Sequence, residues 1–376
     1  MTTVPPRAPT APVTPTWRTQ QRQVRRSGQI EAALSQANRY VAALPDDRRA
    51  WARLAHAALR AQRPQIADRA LARLSELAIA HGFGRAAVRV LLRRAALLAG
   101  SGSGSEGESL VARALELAVR FGDTVGVYLA RQALAVLAVR RGDAGCQETL
   151  SAFLRTAVEA GREAQALGLV SQLAMGEGFG AGTAARLLGA RARAHDELDV
   201  AARWFIEALR RLPVDAGLEN ELEQLAFSAG LWGELGALYR LRAERSSGAA
   251  RALALEQLAE LWEDELQNPQ AALDAYRAAL EASGGSGARG ALREFLRLSA
   301  LMGTLGAAAE LLRSEVAGPV AENVTLLEQL AQGDLPPSAR LRVLETFAVL
   351  VRDDLKDPPR AEAALARAET MRKRAQ

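Results

Sequence analysis

This sequence predicts an all-α chain, an α-solenoid of antiparallel helix hairpins, and three observations predict it. Apolar residues recur at helical spacing along most of its length. Ala, Leu and Arg dominate, and all three favour helix; aromatic residues make up only 5% of the 376, too few of the side chains that strands prefer. A helix–turn–helix segment also returns. Leu255–Leu280 aligns without a gap on Leu344–Glu369 at an offset of 89, with Leu255/Leu344, Leu261/Leu350, Leu266/Leu355, Pro269/Pro358, Ala272/Ala361 and Ala279/Ala368 among the matches.

Taken in order, the chain opens on MTTVPPRAPTAPVTPT, which has five prolines in its first 15 residues and no apolar run. Residues 1–16 read as a disordered tail rather than a secretory signal. From Gly28 to Leu74 the pattern is a hairpin. One helix ends at Pro45, Asp46 and Asp47 supply the turn and N-cap, and Trp51, Leu54, Ala55 and Ala58 form one apolar face. A second helix starts at Pro64, because proline at a helix start gives up only an N–H that has no partner there. Further on, Ala112–Arg120 followed by Gly122-Asp123, and Val125–Arg141 followed by Gly142-Asp143, read as longer hairpins. Gly100–Gly107, Gly176–Gly182, Ser283–Gly290 and Asp334–Pro337 read as flexible breaks between helices. Counting helix-sized segments between these breaks gives roughly 16–19 helices.

Charge divides the chain more sharply than its net value of +5 suggests. Residues 1–141 carry 22 Arg against 9 acids, a balance of +13, and residues 142–376 carry −8. We therefore expect a basic N-terminal region, 17–141, continuous with an acidic C-terminal one, 142–376. Arg18, Arg22, Arg25 and Arg26 all precede the first acid, Glu31.

The hairpin residues resemble the tetratricopeptide (TPR) repeat. Pro45-x5-Trp51-x2-Leu54-Ala55-x2-Ala58 followed by Ala67-x3-Leu71-x2-Leu74 is similar to that family's W-x2-L-[GA]-x2-Y and A-x3-F-x2-A, with Ala58 where the family has an aromatic. Ala201-x3-Phe205-x2-Ala208-x4-Pro213 and Ala272-x3-Tyr276-x2-Ala279 match its second half. The resemblance implies a right-handed superhelix of stacked hairpins, and a protein-interaction scaffold that holds a partner peptide or helix in a concave groove. In that family the first helix of each hairpin lines the groove. Carried over, this places Arg49, Arg53, His56 and Arg60 in the first repeat, and Glu256, Glu260, Glu263 and Asp264 in the repeat at 255–280. Arg49, Arg53, His56 and Arg60 fall within about a 60° arc of a helix. Such a row suits an acidic peptide or tail, which arginine grips in bidentate fashion.

Chemistry is hard to find. Gly102–Gly107 and Gly285–Gly290 both spell G-x-G-x-x-G, but a dinucleotide site needs a strand before that loop, and both read as linkers. The chain has no Gly-Lys dipeptide, which excludes a P-loop. Asp353-Asp354-Leu355-Lys356-Asp357 spells the DDxxD pattern of magnesium sites, yet its partner at the 89-residue offset, Asp264–Asn268, marks it as a hairpin turn. His195-Asp196 has no G-x-S-x-G nucleophile to serve. Cys146 lies near a helix start, where a thiol's pKa can fall, but it reads as a bystander. The lone cysteine excludes an internal disulfide. We therefore expect no catalysis, no cofactor and no metal. No stretch reaches the roughly 20 apolar residues a membrane helix needs, so a bacterial-type cytoplasmic location is expected. A sensor or regulatory module touching nucleic acid through the basic third is the alternative. It is disfavoured because no aromatics interleave with those arginines in the sequence.

Overall fold

The structure, a computed structural model, describes residues 17–100, 104–284, 289–314 and 317–375. The side chains of 17–27, 104 and 375 are outside that description, as are the expected tail at 1–16 and the linker positions 101–103 and 285–288. Nineteen helices and no strand occur among the described residues. The chain divides into two compact units, Met1–Leu187 and Leu188–Gln376.

In the first unit α1 (Trp17–Ala43), α2 (Arg48–Arg60), α3 (Pro64–Ala80), α4 (Gly84–Gly100), α5 (Gly104–Arg120), α6 (Thr124–Arg141), α7 (Cys146–Glu159) and α8 (Glu163–Ala174) each pack on the next. Helix α4 also touches α6, and α6 touches α8. Helix α9 (Phe179–Ala194) contains the boundary between the units. The second unit continues with α10 (Leu198–Arg211), α11 (Ala216–Ala229), α12 (Trp232–Arg245), α13 (Gly248–Asp264), α14 (Pro269–Ser283), α15 (Arg289–Met302), α16 (Leu305–Arg313), α17 (Val320–Gln332), α18 (Pro337–Asp353) and α19 (Pro358–Ala375), again neighbour on neighbour.

Turn chemistry makes the hairpins. At Gln62, Gly82, Gly122, Gly161 and Asp196 one residue takes a positive φ, and the next helix begins two residues later. Around each, the following N–H reaches back five residues, as in Arg63 to the Ala58 carbonyl at 2.9 Å and Phe83 to that of Ala78 at 2.8 Å. This closes the last open carbonyls of one helix while the chain reverses. Positive-φ residues 62 and 82, and again 122 and 142, stand 20 residues apart, so a hairpin between 62 and 142 takes about 40 residues, whereas 142 to 178 takes 36. TPR hairpins take about 34. Between residues 196 and 230 two helices fit in 34 residues, and there the family pattern is readable.

The 89-residue echo is structural. Helices α13 and α18 have the same bounds at that offset, and Gln267 and Lys356 both take a positive φ. Asn268 N–H bonds the Trp262 carbonyl at 2.7 Å, and Asp357 N–H bonds that of Val351 at 3.1 Å. The Asn268 side chain then caps α14 by accepting from Ala271 N–H at 3.1 Å; Asp357 accepts from Arg360 N–H at 3.2 Å. Ala272 and Ala361 are buried where the paired helices meet.

Two of the expected flexible breaks are partly helix: α9 begins at Phe179, inside Gly176–Gly182, and its Gly180 packs against the Val139 carbonyl. Gly100–Gly107 is not a loop throughout, since α4 runs to Gly100 and α5 begins at Gly104. Gly107 is buried inside α5, where a Cβ would stand 3.2 Å from the Ala95 carbonyl oxygen. Its glycine serves close helix approach, not flexibility.

Candidate protein-docking faces

Helix α2 begins where Asp47 accepts from the Arg49 N–H at 2.9 Å, and Trp51 Nε1 pins the preceding turn through the Pro45 carbonyl at 2.7 Å. Its buried side is Ala50, Leu54, Ala55, Ala57 and Ala58. Its other side presents Arg49, Arg53, His56 and Arg60, all exposed. Between α1 and α2 runs a groove of about 950 Å³. Ala33, Ala37 and Ala57 line it together with Gln29, Gln36, Tyr40, Arg53, His56 and Arg60. Arg49 stands one turn before Arg53, outside the lining. The Arg53 guanidinium sits over the Tyr40 ring, 5.1 Å from its centroid.

A wider pattern escaped the sequence analysis. Helices α2, α4 and α6 contain no Asp or Glu at all. The acids of this region lie on α1, α3, α5 and the turns, where many are paired. Arg63 meets Glu31 at 3.1 Å, Arg73 meets Asp46 at 3.2 Å and Glu76 at 2.9 Å, and Arg94 reaches Asp68 at 2.7 Å. Arg49, Arg53, Arg60, Arg85, Arg89 and Arg93 have no ion pair among the described residues. Only the assignment of residues to alternate helices exposes this.

The second unit holds the opposite sign. Helix α11 carries Glu219, Glu221 and Glu223 and no base, and α13 carries four acids against Arg251. Arginines from other helices partly neutralise them. Arg242 Nε meets Glu219 at 2.9 Å and its Nη2 meets Glu223 at 2.8 Å, while Tyr239 O–H donates to Glu223 at 2.9 Å. Burial alone would raise the Glu223 pKa, but the bonds from Arg242 and Tyr239 and the Arg242 charge hold it below the usual range. Tyr239 is pushed up to about 12, by burial first and then by its bond to Glu223.

The four expected acids of α13 do not act alike. Glu263 pairs with Arg297 of α15, which also holds Glu294. Glu256, Glu260 and Asp264, one turn apart, have no ion pair among the described residues. Burial, then the Glu260 charge, raises the Glu256 pKa; burial, then Asp264 and Glu294, raises that of Glu260.

The remaining candidates are placed plainly. Asp353 ends α18 beside Arg352 at 2.9 Å, Asp354 pairs with Arg313 at 2.9 Å, and Asp357 caps α19, so DDLKD is a turn. His195 is exposed at the end of α9. Cys146 is fully buried, and burial first, then Asp143, pushes its thiol up to about 11, opposite to the lowering its helix start would favour. Trp51, Trp204, Trp232 and Trp262 are half-buried beside the core. Among the described residues no three His, Cys, Asp or Glu side chains gather to hold a metal, and no helix is long and apolar enough to cross a membrane.

No family model matches the chain, and no curated protein matches it. Among solved structures it is similar to the TPR domain of P58(IPK), at 16% identity over 94% of this chain and 97% of that one, with a TM-score of 0.25. It is also similar to a circular tandem repeat protein with novel repeat topology, at 18% identity, 93% and 88% coverage and a TM-score of 0.21. A third is Naa15/Naa10 bound to HypK-THB, at 14% identity, 85% and 61% coverage and a TM-score of 0.21. The fold rests on the hairpins themselves: nineteen described helices, packed neighbour on neighbour within each unit, form a TPR-like all-α repeat protein.

Proposed function

We propose that this protein is an interaction scaffold whose first unit captures an acidic peptide, helix or tail of a partner protein in the groove between α1 and α2. One observation carries the reading: the charged rim of that groove is wholly basic, Arg53, His56 and Arg60, on a helix with no acid of its own. Alanines on the floor leave room for a partner's side chains, and Tyr40 and the glutamines add hydrogen-bonding rims. Arginine recognises carboxylates in pairs, so acids spaced one helical turn apart are the natural match. Glu256, Glu260 and Asp264 on α13 form a second docking strip, of opposite sign. The scaffold performs no chemistry of its own, and its place is the cytoplasm. To test the reading, a labelled peptide with glutamates one turn apart is titrated with the full chain. Binding should weaken as salt rises, and it should survive reversal of Glu256 and Glu260. No binding at low salt sinks the proposal.

A further inference from the structure

The fold stacks an aromatic ring from one helix turn against an arginine 35 residues earlier in the chain. Where α3 turns into α4, Phe83 is 49% exposed, and its place is fixed by its N–H bond to Ala78. Arg48, from the start of α2, sits over that ring with Cζ 3.9 Å from the centroid. A crevice of about 680 Å³ opens beside it, lined by Arg48, Phe83, Arg85, Ala86, Arg89 and Val90 with Gly82 and Gly84. Its only charged groups are these three guanidiniums, and none has an ion pair among the described residues. Against Gly84, outside the crevice lining, stands a second exposed aromatic, Phe121. The Phe121 ring fills the space a Cβ at 84 would need, with Cδ2 only 2.2 Å from that position, so the glycine lets the ring reach the first turn of α4. Arg85, Arg89 and Arg93 step along α4 at intervals of about 6 Å.

We propose that this crevice binds single-stranded nucleic acid, with a base stacking on the exposed part of Phe83 and backbone phosphates pairing with Arg48, Arg85 and Arg89. Aromatic faces accept any base, and a track of guanidiniums follows the phosphates whatever the sequence. An acidic peptide would use the arginines but leave the part of the Phe83 ring that Arg48 does not cover exposed; a base covers a ring while its phosphate lies one step away. A duplex keeps its bases stacked inside and cannot offer them. The crevice shares no lining residue with the α1–α2 groove, so the inference does not depend on the function proposed above.

Fluorescence anisotropy of labelled oligothymidylate and oligouridylate, titrated with the full chain, tests it. Both strands should bind, more tightly than a matching duplex, and more weakly as salt rises. Phe83→Ala should weaken binding about tenfold, Phe83→Tyr should retain it, and the pair Arg85→Glu and Arg89→Glu should abolish it. Circular dichroism melts show which variants remain folded, and Phe83→Tyr keeps the test valid if the alanine variant does not. The proposal is overturned if neither strand binds at low salt, or if Phe83→Ala and Phe83→Tyr both bind as the parent does. It is equally overturned if the duplex binds as tightly, or if Arg113→Glu on α5, outside the crevice, costs as much as the paired reversal. Binding of polyglutamate alone would make the crevice a peptide site and end the proposal.

Discussion

The basic helices of the first unit and the acidic helices of the second are built alike and neutralised differently. Part of each unit carries charge of one dominant sign on alternate helices: α2, α4 and α6 are basic, α11 and α13 acidic. On the acidic side, Arg242 and Arg297 reach in and pair with Glu219, Glu223, Glu263 and Glu294. On the basic side no carboxylate answers Arg49, Arg53 or Arg60 among the described residues. A charged row that its own fold neutralises serves stability. A row left open, like the arginines of α2 or Glu256 and Glu260 on α13, is what the function proposed above assigns to an outside partner.

That contrast can be broken by comparing a paired arginine with an open one. Arg242→Ala leaves Glu219 and Glu223 partly buried without their counter-charge and should cost about 3 kcal/mol in urea unfolding. Arg53→Ala should cost less than about 0.5 kcal/mol. Equal costs would erase the distinction. The Arg242 contribution also has a pH signature. The Glu223 pKa lies below its unfolded value, so its stabilisation is complete above the ordinary carboxylate range and is lost as pH falls through the depressed folded value. Arg242→Ala should flatten that acid limb.

Both faces rest on the same uncharged hairpin packing, which predicts a second effect. Ala272→Leu or Ala361→Leu overpacks a closed helix contact and should cost about 2 kcal/mol each, at positions 89 residues apart. A cost at one and none at the other would show that the two hairpins do not pack alike.

Smaller shifts should mark the open acids. Glu256 and Glu260 have raised pKa values, so their charges destabilise the fold above the folded values and cease to do so as pH falls below the ordinary range. Glu256→Gln with Glu260→Gln should raise stability at neutral pH by about 0.5 kcal/mol, a modest gain because solvent screens the pair. A loss of stability would mean that the strip is held by a partner within the fold. Asp353→Asn should leave the melt unchanged, as its side chain is exposed beside Arg352.

Much of the fold is legible in sequence wherever the signal is local. Asn268-Pro269 and Asp357-Pro358 advertise turns through proline at a helix start and a capping side chain, Pro45–Asp47 through a turn proline and the Asp47 cap, and the helices begin directly after them or at the proline. Gly104–Gly107 misleads, because the composition of a flexible loop is also what two closely packed helices need. From residue 62 to 142 the helices recur every 20 residues, so the family's 34-residue spacing does not carry through that stretch. The docking faces are half legible. Helical spacing locates the Arg49–Arg60 row, but nothing local reveals that Glu263 is claimed by Arg297, 34 residues on, or that Arg48 will cover Phe83.

In the function proposed above, the open arginines of α2 dock an acidic partner. Anisotropy of a labelled glutamate-bearing helical peptide, measured at physiological salt against the parent chain and the variant carrying Arg49→Glu, Arg53→Glu and Arg60→Glu, tests it most directly. The account predicts binding to the parent and a loss of about a hundredfold or more in the variant, with an unchanged melt because exposed helix positions accept glutamate. A folded variant that binds the peptide as tightly as the parent would contradict it.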